Sequence, residues 1–342
     1  MGAHRPAPRR AAPEGGTLSI PEASWRDAVE TIATAKEVAL ACHMGPDGDA
    51  LGSMLALGLA LRKRGMTVNA SWGSDPFSVP KHYTFLPGQE LLKPPQDFPA
   101  APPLMITFDA GSIERLGTLE PNARKAETLI VVDHHVSNDE FGTLNLIDPK
   151  AAASAILVFE LIKRLGIDLD TEIATNLYTA ILTDTGSFKY RNTTPPVHAI
   201  AAELLQFDIH HDDIARTVFD THPVGFLKLA AVALERAQLR DDASMIWTWV
   251  AQDDLKRFDL ELEDTESLID ILRTADTAEV ACVMKQGLDG KYKASLRSKG
   301  NANVGAVAQQ LGGGGHAFAA GFTANGDPHA AVDEIARRLA TA

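Results

Sequence analysis

Apolar positions along the chain follow two alternating rhythms. Short, mostly apolar runs at residues 37–42, 67–72, 104–108 and 129–132 have the length of strands. Most of them leave no polar side to face water, so they predict strands covered on both faces. Longer stretches at 50–63, 152–165 and 171–182 repeat their apolar residues with helical spacing. Strands alternating with helices predict an α/β fold, a mainly parallel sheet flanked by helices.

From residue 195 to about 240 the pattern is helical throughout, with no strand expected, as suits a connector. A strand at 245–250, a helix near 264–274 and two paired strands at 279–285 and 291–297, joined across Gly287 to Gly290, then predict a smaller α/β domain. A short helix, a glycine tract and a C-terminal helix complete it. The expected division is a disordered leader at 1–16, a catalytic domain at 17–194, the connector at 195–240 and a second domain at 241–342.

The 32 Lys and Arg against 45 Asp and Glu leave a net charge of −13. Such a surface repels long polyanions, which excludes bulk binding of long duplex nucleic acid. A small phosphorylated ligand stays compatible where metal ions supply local positive charge. Cys42 and Cys282 lie in strand-like runs and are expected as buried core residues in a reducing compartment, without a disulfide. No apolar run reaches a membrane span and no apolar stretch follows the N-terminal arginines, so a cytoplasmic protein with no membrane partner is expected.

Chemistry gathers where the strands end. The first strand runs into His43-Met44-Gly45-Pro46-Asp47-Gly48-Asp49, the third into Asp109, and the fourth into Asp133-His134-His135, while Asp184 ends a predicted helix. In an open α/β sheet the carboxyl ends of the strands line the functional crevice. Taken alone, the first loop reads equally well as a solvated His43 with Asp49 capping the next helix. Recurrence at other strand ends favours a common site. Converging carboxylates repel one another, and two divalent cations neutralise four of them; oxygen-rich ligands with a few imidazoles suit Mn²⁺ or Mg²⁺, with cobalt or zinc as substitutes. Such a metal pair hydrolyses bonds at phosphorus. His210-His211-Asp212-Asp213 has the same residue types but follows a helix end, and is expected on the surface or at a helix cap.

In the second domain, Gly312 to Gly315 and His316 read either as a hinge or, standing before a helix, as a nest of backbone N–H groups for an anion. Ser295 to Lys299 ends a strand with a cation beside a hydroxyl, either a second phosphate clamp or an ordinary basic edge. Neither a Walker loop nor a Rossmann glycine fingerprint is present.

The blocks CHMGPDGDALGS (42–53), FDAGS (108–112), VVDHH (131–135), TDTGSFKY (183–190) and GGGGHAFAAGF (312–322) resemble the DHH/DHHA1 phosphoesterase superfamily, over residues 20 to 340. The likeness is strongest to its stand-alone oligoribonuclease branch. It implies an N-terminal DHH domain holding two Mn²⁺ per chain and a DHHA1 domain facing it across a cleft. By resemblance, His43, Asp47 and Asp109 bind one ion, and Asp49, Asp109, His134 and Asp184 the other. Asp133 then supports the histidines, and His135 contacts the substrate phosphate. Arg115, Arg297, Ser298, Gly314, Gly315 and His316 are the substrate-binding candidates. Leu51 and Asn303 depart from the family's usual Ile and acidic residue, the second at a helix cap.

The activity so implied is hydrolysis of short oligoribonucleotides to 5′-mononucleotides, linear pApA from second-messenger turnover included, and of adenosine 3′,5′-bisphosphate (pAp) to AMP and phosphate. A homodimer is the implied assembly. The same metal cluster also serves phosphoanhydride hydrolases such as pyrophosphatases or exopolyphosphatases, although the glycine–histidine tract argues against the former. A silent nucleotide-binding regulator is a third reading. Phe188, Tyr190 and Phe318 are the candidates for stacking on a base.

Overall fold

The computed structural model describes residues 18–340, so the leader expected at 1–16 lies outside the described residues. The chain divides into two compact units between His211 and Asp212. Among the described residues no helix is long and apolar enough to cross a membrane.

The first unit runs α1 (Glu22–Thr34), β1 (Glu37–Cys42), α2 (Gly48–Lys63), β2 (Thr67–Trp72), β3 (Leu104–Phe108), α3 (Glu120–Arg124), β4 (Thr128–Asp133), β5 (Leu144–Ile147), α4 (Ser154–Arg164), α5 (Thr171–Asp184) and α6 (Pro195–Leu204). Its five strands form one sheet in the order β2-β1-β3-β4-β5, every pair parallel. β1, β3 and β4 are buried along nearly their whole length, as strands covered by helices on both faces must be. The strand order reverses between β1 and β3, which makes the crevice at their carboxyl ends the topological switch point where ligands bind in such sheets.

α2 is buried from Gly48 to Leu61 and lies against α5. A Cβ on Gly52 would stand 2.5 Å from the Asn176 carbonyl oxygen, and one on Gly48 2.5 Å from Thr183 Oγ1. These two glycines let the start of α2 touch the end of α5. Asp49 and Asp184 are thereby brought to the same place.

Three elements escape the sequence pattern. α1 anchors through Trp25, Ala28 and Ile32 alone, with Ala28 too small to mark an apolar stripe. β5 is four residues long and half-exposed, and the Gln238–Arg240 segment contradicts the expectation of no strand before 241. That last segment is mostly exposed and pairs at a sheet edge, so no buried face announces it.

The second unit continues through α7 (His211–Phe219), α8 (Val224–Glu235), β6 (Gln238–Arg240), β7 (Met245–Val250), α9 (Gln252–Phe258), α10 (Leu268–Leu272), β8 (Val280–Gln286), β9 (Tyr292–Ser298), α11 (Val304–Gln310), β10 (Gly314–His316), β11 (Ala319–Ala324) and α12 (Pro328–Leu339). Its six strands order as β10-β11-β9-β8-β7-β6, antiparallel except for β7 with β8. One face packs on α11 and α12 through Cys282, Met284, Leu296, Phe322, Val307 and Ile335. The other packs on α8 to α10 through Phe226, Leu268, Ala281 and Val283. Both cysteines are free, fully buried core residues, as expected. Asn303 does cap α11, accepting from the Ala306 amide at 3.0 Å, so its departure from the family pattern keeps the cap.

Candidate metal centre

β1 ends at Cys42 and delivers His43 into the switch-point crevice, while β3 delivers Asp109 beside it. Their side chains meet: His43 Nε2 lies 3.4 Å from Asp109 Oδ2 and 3.8 Å from Asp47 Oδ1. β4 contributes His134, whose Nε2 lies 3.3 Å from Asp109 Oδ1, 3.3 Å from Asp184 Oδ2 and 3.7 Å from Asp49 Oδ2. Asp109 thus sits between two groups of ligand atoms, His43 with Asp47 and Asp49 with His134 and Asp184. It holds this place with a left-handed backbone, φ 55°, a conformation tolerated by Asp and concentrated at functional sites.

The imidazoles are oriented by their other nitrogens. His43 Nδ1 lies 2.9 Å from the Met44 carbonyl and His134 Nδ1 3.1 Å from that of Ala151. A carbonyl only accepts, so each ring donates from Nδ1 and turns Nε2 toward the carboxylates. That donor set, two Nε2 atoms among four clustered carboxylates, fits a pair of hard divalent cations.

Asp47, and not Asp49, caps α2: its Oδ1 accepts from the amides of Asp49 and Ala50 at 3.1 and 3.0 Å. Asp49 is fully buried and accepts from the amides of Ser154 and Ala155 at the start of α4, at 2.6 and 3.0 Å, and from Ser53 Oγ. Arg115 is exposed, with Nη2 3.4 Å from His43 Nδ1, and its carbonyl accepts from the Met44 amide at 2.8 Å. The chain leaves Asp184 through Gly186, Ser187 and Phe188, all left-handed, and Asn192 donates to the carbonyls of Asp184 and Ala152 across that turn.

Asp133 serves the third histidine of the crevice. It is fully buried and binds His135, Nδ1 to Oδ1 at 2.7 Å, while Asn138 donates to its other oxygen and to the Ala110 carbonyl. His135 Nδ1 also lies 3.5 Å from Asp109 Oδ1. Ser154, Asn138 and Asn192 are therefore site residues that the sequence reading missed. Ser154 joins Asp49 and Asp109 by its amide and its hydroxyl, from inside an unremarked run of alanines. Asn138→Ala is expected to lower kcat about 10- to 100-fold with little change in KM, because it frees the carboxylate that orients His135. Steady-state kinetics on a hydrolysed substrate check this.

Protonation shows how strongly the crevice demands positive charge. Burial pulls the His43 imidazole down, but the Asp109 and Asp47 carboxylates outweigh it and push its pKa up to about 10. Burial, with Asp109 and Asp47 nearby, raises Asp184 to about 7 in spite of the His134 imidazole. His134 is likewise driven well above its ordinary value by Asp184, Asp109 and Asp49 against the effect of burial.

Both His43 and Asp184 have raised folded pKa values. In the metal-free protein, their contribution to stability is present at low pH and fades as pH rises, from 3.8 to about 7 for Asp184 and from 6.5 to about 10 for His43. Cation binding displaces these protons, so affinity grows with pH. Mn²⁺ is expected to raise Tm more at pH 8 than at pH 6. Thermal melts in EDTA and in Mn²⁺ decide it; an equal shift at both values contradicts proton displacement.

The glycine tract in the second unit is not a nest before a helix. Gly312 and Gly313 donate to the carbonyls of Gln309 and Ala308 and end α11; Gly314, Gly315 and His316 then form β10, paired with β11. Gly312 (φ 79°) and Gly315 (φ 131°) have backbones that glycine favours, and a Cβ on Gly313 would meet the Gly321 carbonyl at 2.1 Å. Backbone geometry, not helix polarity, accounts for these three. Nor does Ser298 stand with Arg297. Alternation along β9 turns Ser298 to the buried face, where it donates to Glu279 at 2.8 Å and accepts from the amides of Gly300 and Ala302. Arg297 lies on the opposite face.

Of the three aromatic candidates, Phe188 is stacked on His198 and near Tyr178, and the Tyr190 ring covers Gly186, whereas Phe318 is 38% exposed. His210 and His211 are exposed where α7 begins, as expected of a surface cluster.

Comparison with known proteins agrees with this architecture. The model of the DHH family, N-terminal domain, matches residues 37–181, and that of the DHHA1 domain matches residues 244–341. The chain is 32% identical over 287 residues to the bifunctional oligoribonuclease and PAP phosphatase NrnA of Thermus thermophilus, covering 84% of each chain. It is 26% identical over 297 residues to the protein of the same name from Bacillus subtilis, covering 86% of this chain and 91% of that one. Among solved structures, an exopolyphosphatase-related protein from Bacteroides fragilis superposes with a TM-score of 0.85 at 25% identity, over 95% of this chain and 98% of the other. The crevice ligands other than Asp184 lie on the segment matched by the first model and the glycine–histidine strand on that matched by the second; the chain belongs to the DHH family, and its second unit is a DHHA1 domain.

Proposed function

We propose that this chain is a metal-dependent phosphoesterase that hydrolyses very short oligoribonucleotides, pApA among them, to 5′-mononucleotides and converts pAp to AMP and phosphate. The observation that carries this reading is the meeting of His43, Asp47, Asp49, Asp109, His134 and Asp184 at the switch point of the sheet, in a chain that matches two relatives named for these activities along most of their length. One Mn²⁺ would be held by His43, Asp47 and Asp109 and a second by Asp49, Asp109, His134 and Asp184, with Mg²⁺ or Co²⁺ as substitutes. Such a pair supplies Lewis acidity at phosphorus and lowers the pKa of water near neutrality.

The chain's own groups do the rest. Asp133 fixes His135 through Nδ1 and favours its protonated form, so His135 serves as the donor to a phosphate or leaving-group oxygen. Arg115 adds positive charge at the rim beside His43. In the second unit, Arg297, Gly314, Gly315 and His316 bind the substrate and the exposed ring of Phe318 stacks on a base. The expected assembly is a homodimer acting in the cytoplasm.

A turnover panel with Mn²⁺ tests the reading, using pAp, pApA, tetra-adenylate, cyclic di-AMP and pyrophosphate. AMP released from pAp and pApA is the expected outcome. The likeness to the exopolyphosphatase-related protein from Bacteroides fragilis keeps a phosphoanhydride hydrolase as the second reading. Phosphate released from pyrophosphate or polyphosphate faster than AMP from pApA establishes that alternative instead.

A further inference from the structure

Residues 151–155, four alanines and a serine, carry no titratable side chain, yet they meet every member of the second proposed ligand set. The Ala151 carbonyl accepts from His134 Nδ1 at 3.1 Å. Asn192 ties the Ala152 carbonyl to that of Asp184, at 3.1 and 3.0 Å. The amides of Ser154 and Ala155 donate to Asp49, and the Ser154 hydroxyl donates to Asp109 Oδ1 at 3.2 Å. His43 and Asp47 of the first set instead bond within their own loop, to Met44 and to the amides of Asp49 and Ala50. Exposure follows the same division: the Asp47 side chain is 52% exposed and that of Asp49 1%.

Ser154 stands where capping alone does not call for a serine. A helix usually takes its serine at the N-cap, where the hydroxyl accepts from an amide of the first turn. In α4 the N-cap is Ala153, with no side-chain cap, and Ser154 is the first helical residue. The cap comes from Asp49, whose carboxylate accepts the amides of Ser154 and Ala155. Fully buried and free of that duty, the Ser154 hydroxyl donates to Asp109. A carboxylate offers about four lone pairs. On Asp49, Oδ1 accepts from Ser53 Oγ and Ala155, and Oδ2 from Ser154, which leaves a single lone pair, on the oxygen 3.7 Å from His134 Nε2. On Asp109, Oδ1 takes the Ser154 hydroxyl and lies 3.3 Å from His134 Nε2, while Oδ2 lies 3.4 Å from His43 Nε2.

We propose that Ser154 is a positioning residue for the second cation, its amide and its hydroxyl together aiming one oxygen of Asp49 and one of Asp109 toward His134 Nε2. The amide helps restrict Asp49 to one ligating oxygen. The hydroxyl stops the Asp109 carboxylate from turning, so that each of its oxygens serves one ligand set. Hydrogen-bond partners of metal ligands commonly change metal affinity about 10- to 100-fold when removed. Here the loss falls on the second ion, because the hydroxyl meets the Asp109 oxygen on the His134 side. The inference rests on the two-cation reading of the crevice and not on which phosphate ester is cleaved.

Calorimetric titration of the metal-free protein with Mn²⁺ reads both ions without turnover, and the wild type is expected to show two binding events. Ser154→Ala keeps the amide and removes the hydroxyl; it is expected to weaken one event by about 10- to 100-fold and to leave the other nearly unchanged. Asp47→Asn takes a ligand from the first set alone, and in that background the event that remains is the one Ser154→Ala weakens. Ser71→Ala is the control, a buried hydroxyl of β2 bonded to the Lys93 carbonyl at 2.7 Å. It is expected to lower Tm as Ser154→Ala does, by about 2–4 °C, and to shift neither event. With pAp, Ser154→Ala raises the Mn²⁺ concentration that gives half-maximal kcat by the factor seen in affinity, while KM at saturating Mn²⁺ stays the same. Two unaltered binding events, or an equal loss from Ser71→Ala, overturns the proposal. A wild type that takes up no Mn²⁺ overturns the two-cation reading and this inference with it. Uptake that depends on Ser154 in a chain that hydrolyses neither pAp nor pApA overturns the phosphoesterase reading alone and leaves Ser154 in its role.

Discussion

Asp109→Asn lowers kcat on pApA by on the order of 10³-fold or more at saturating Mn²⁺, while the far-UV spectrum stays that of a folded chain. Asp109 lies within 3.5 Å of the imidazoles of His43, His134 and His135 together, and it stands in both proposed ligand sets. Burial alone would raise its pKa, yet His134 and His43 hold it well below the usual carboxylate range, so it is charged at every working pH. An amide keeps the shape and removes that charge. Several kcal/mol of charge stabilisation at phosphorus depend on the cations it anchors, and each 1.36 kcal/mol is a factor of about ten. Calorimetric titration with Mn²⁺ separates the cause: the variant should lose affinity along with turnover. Retained turnover within tenfold of the wild type would remove Asp109 from the centre of the site.

Gly52→Val is expected to damage both stability and catalysis, from a position that touches no substrate. Its first added atom would lie 2.5 Å from the Asn176 carbonyl oxygen and 2.9 Å from the Ala180 Cβ, so α2 and α5 must separate. Overpacking of this kind costs about 1–3 kcal/mol, and each kcal/mol lowers Tm by roughly 2–4 °C in a unit of this size. Asp49 rides on α2 and Asp184 ends α5, so the same movement spreads the ligands of His134's group. A displacement near 1 Å at a reacting centre lowers rate by about 10²-fold. Thermal melts and kcat measured side by side distinguish this from Asp109→Asn, which should leave the fold intact. A Gly52→Val protein with wild-type kcat would show that the contact between α2 and α5 does not set the ligand geometry.

Much of the site was legible because its chemistry recurs at fixed places in a repeating architecture. β1, β3 and β4 are short and buried on both sides, so their ends were recognisable from apolar runs, and His43, Asp109 and His134 follow from those ends. Asp184 was found in the same way at a helix end. Less legible was the division of labour within a motif. Asp47 and Asp49 are two residues apart, and only the direction of α2 decides that the first caps the helix and the second is buried. Asp133 precedes two histidines in the chain but serves the more distant of them, a consequence of side-chain direction at the end of β4. Ser154 and Asn192 act through a backbone amide, a hydroxyl and a carboxamide that reach across loops, contacts with no local signature.

The glycine tract misled for a related reason. A run of glycines before an apolar segment fits both a loop-to-helix junction and a helix end followed by an edge strand. Tertiary pairing with β11 selects the second. Ser298 beside Arg297 shows the same limit: adjacency in sequence within a strand means opposite faces, so a cation and a hydroxyl that look like one clamp are separated by the sheet.

Crystals grown with Mn²⁺ and measured at the manganese absorption edge address the metal centre without reference to any substrate. Two anomalous peaks are expected, one among His43, Asp47 and Asp109 and the other among Asp49, Asp109, His134 and Asp184. An unoccupied crevice at saturating Mn²⁺, or peaks confined to surface carboxylates, contradicts it.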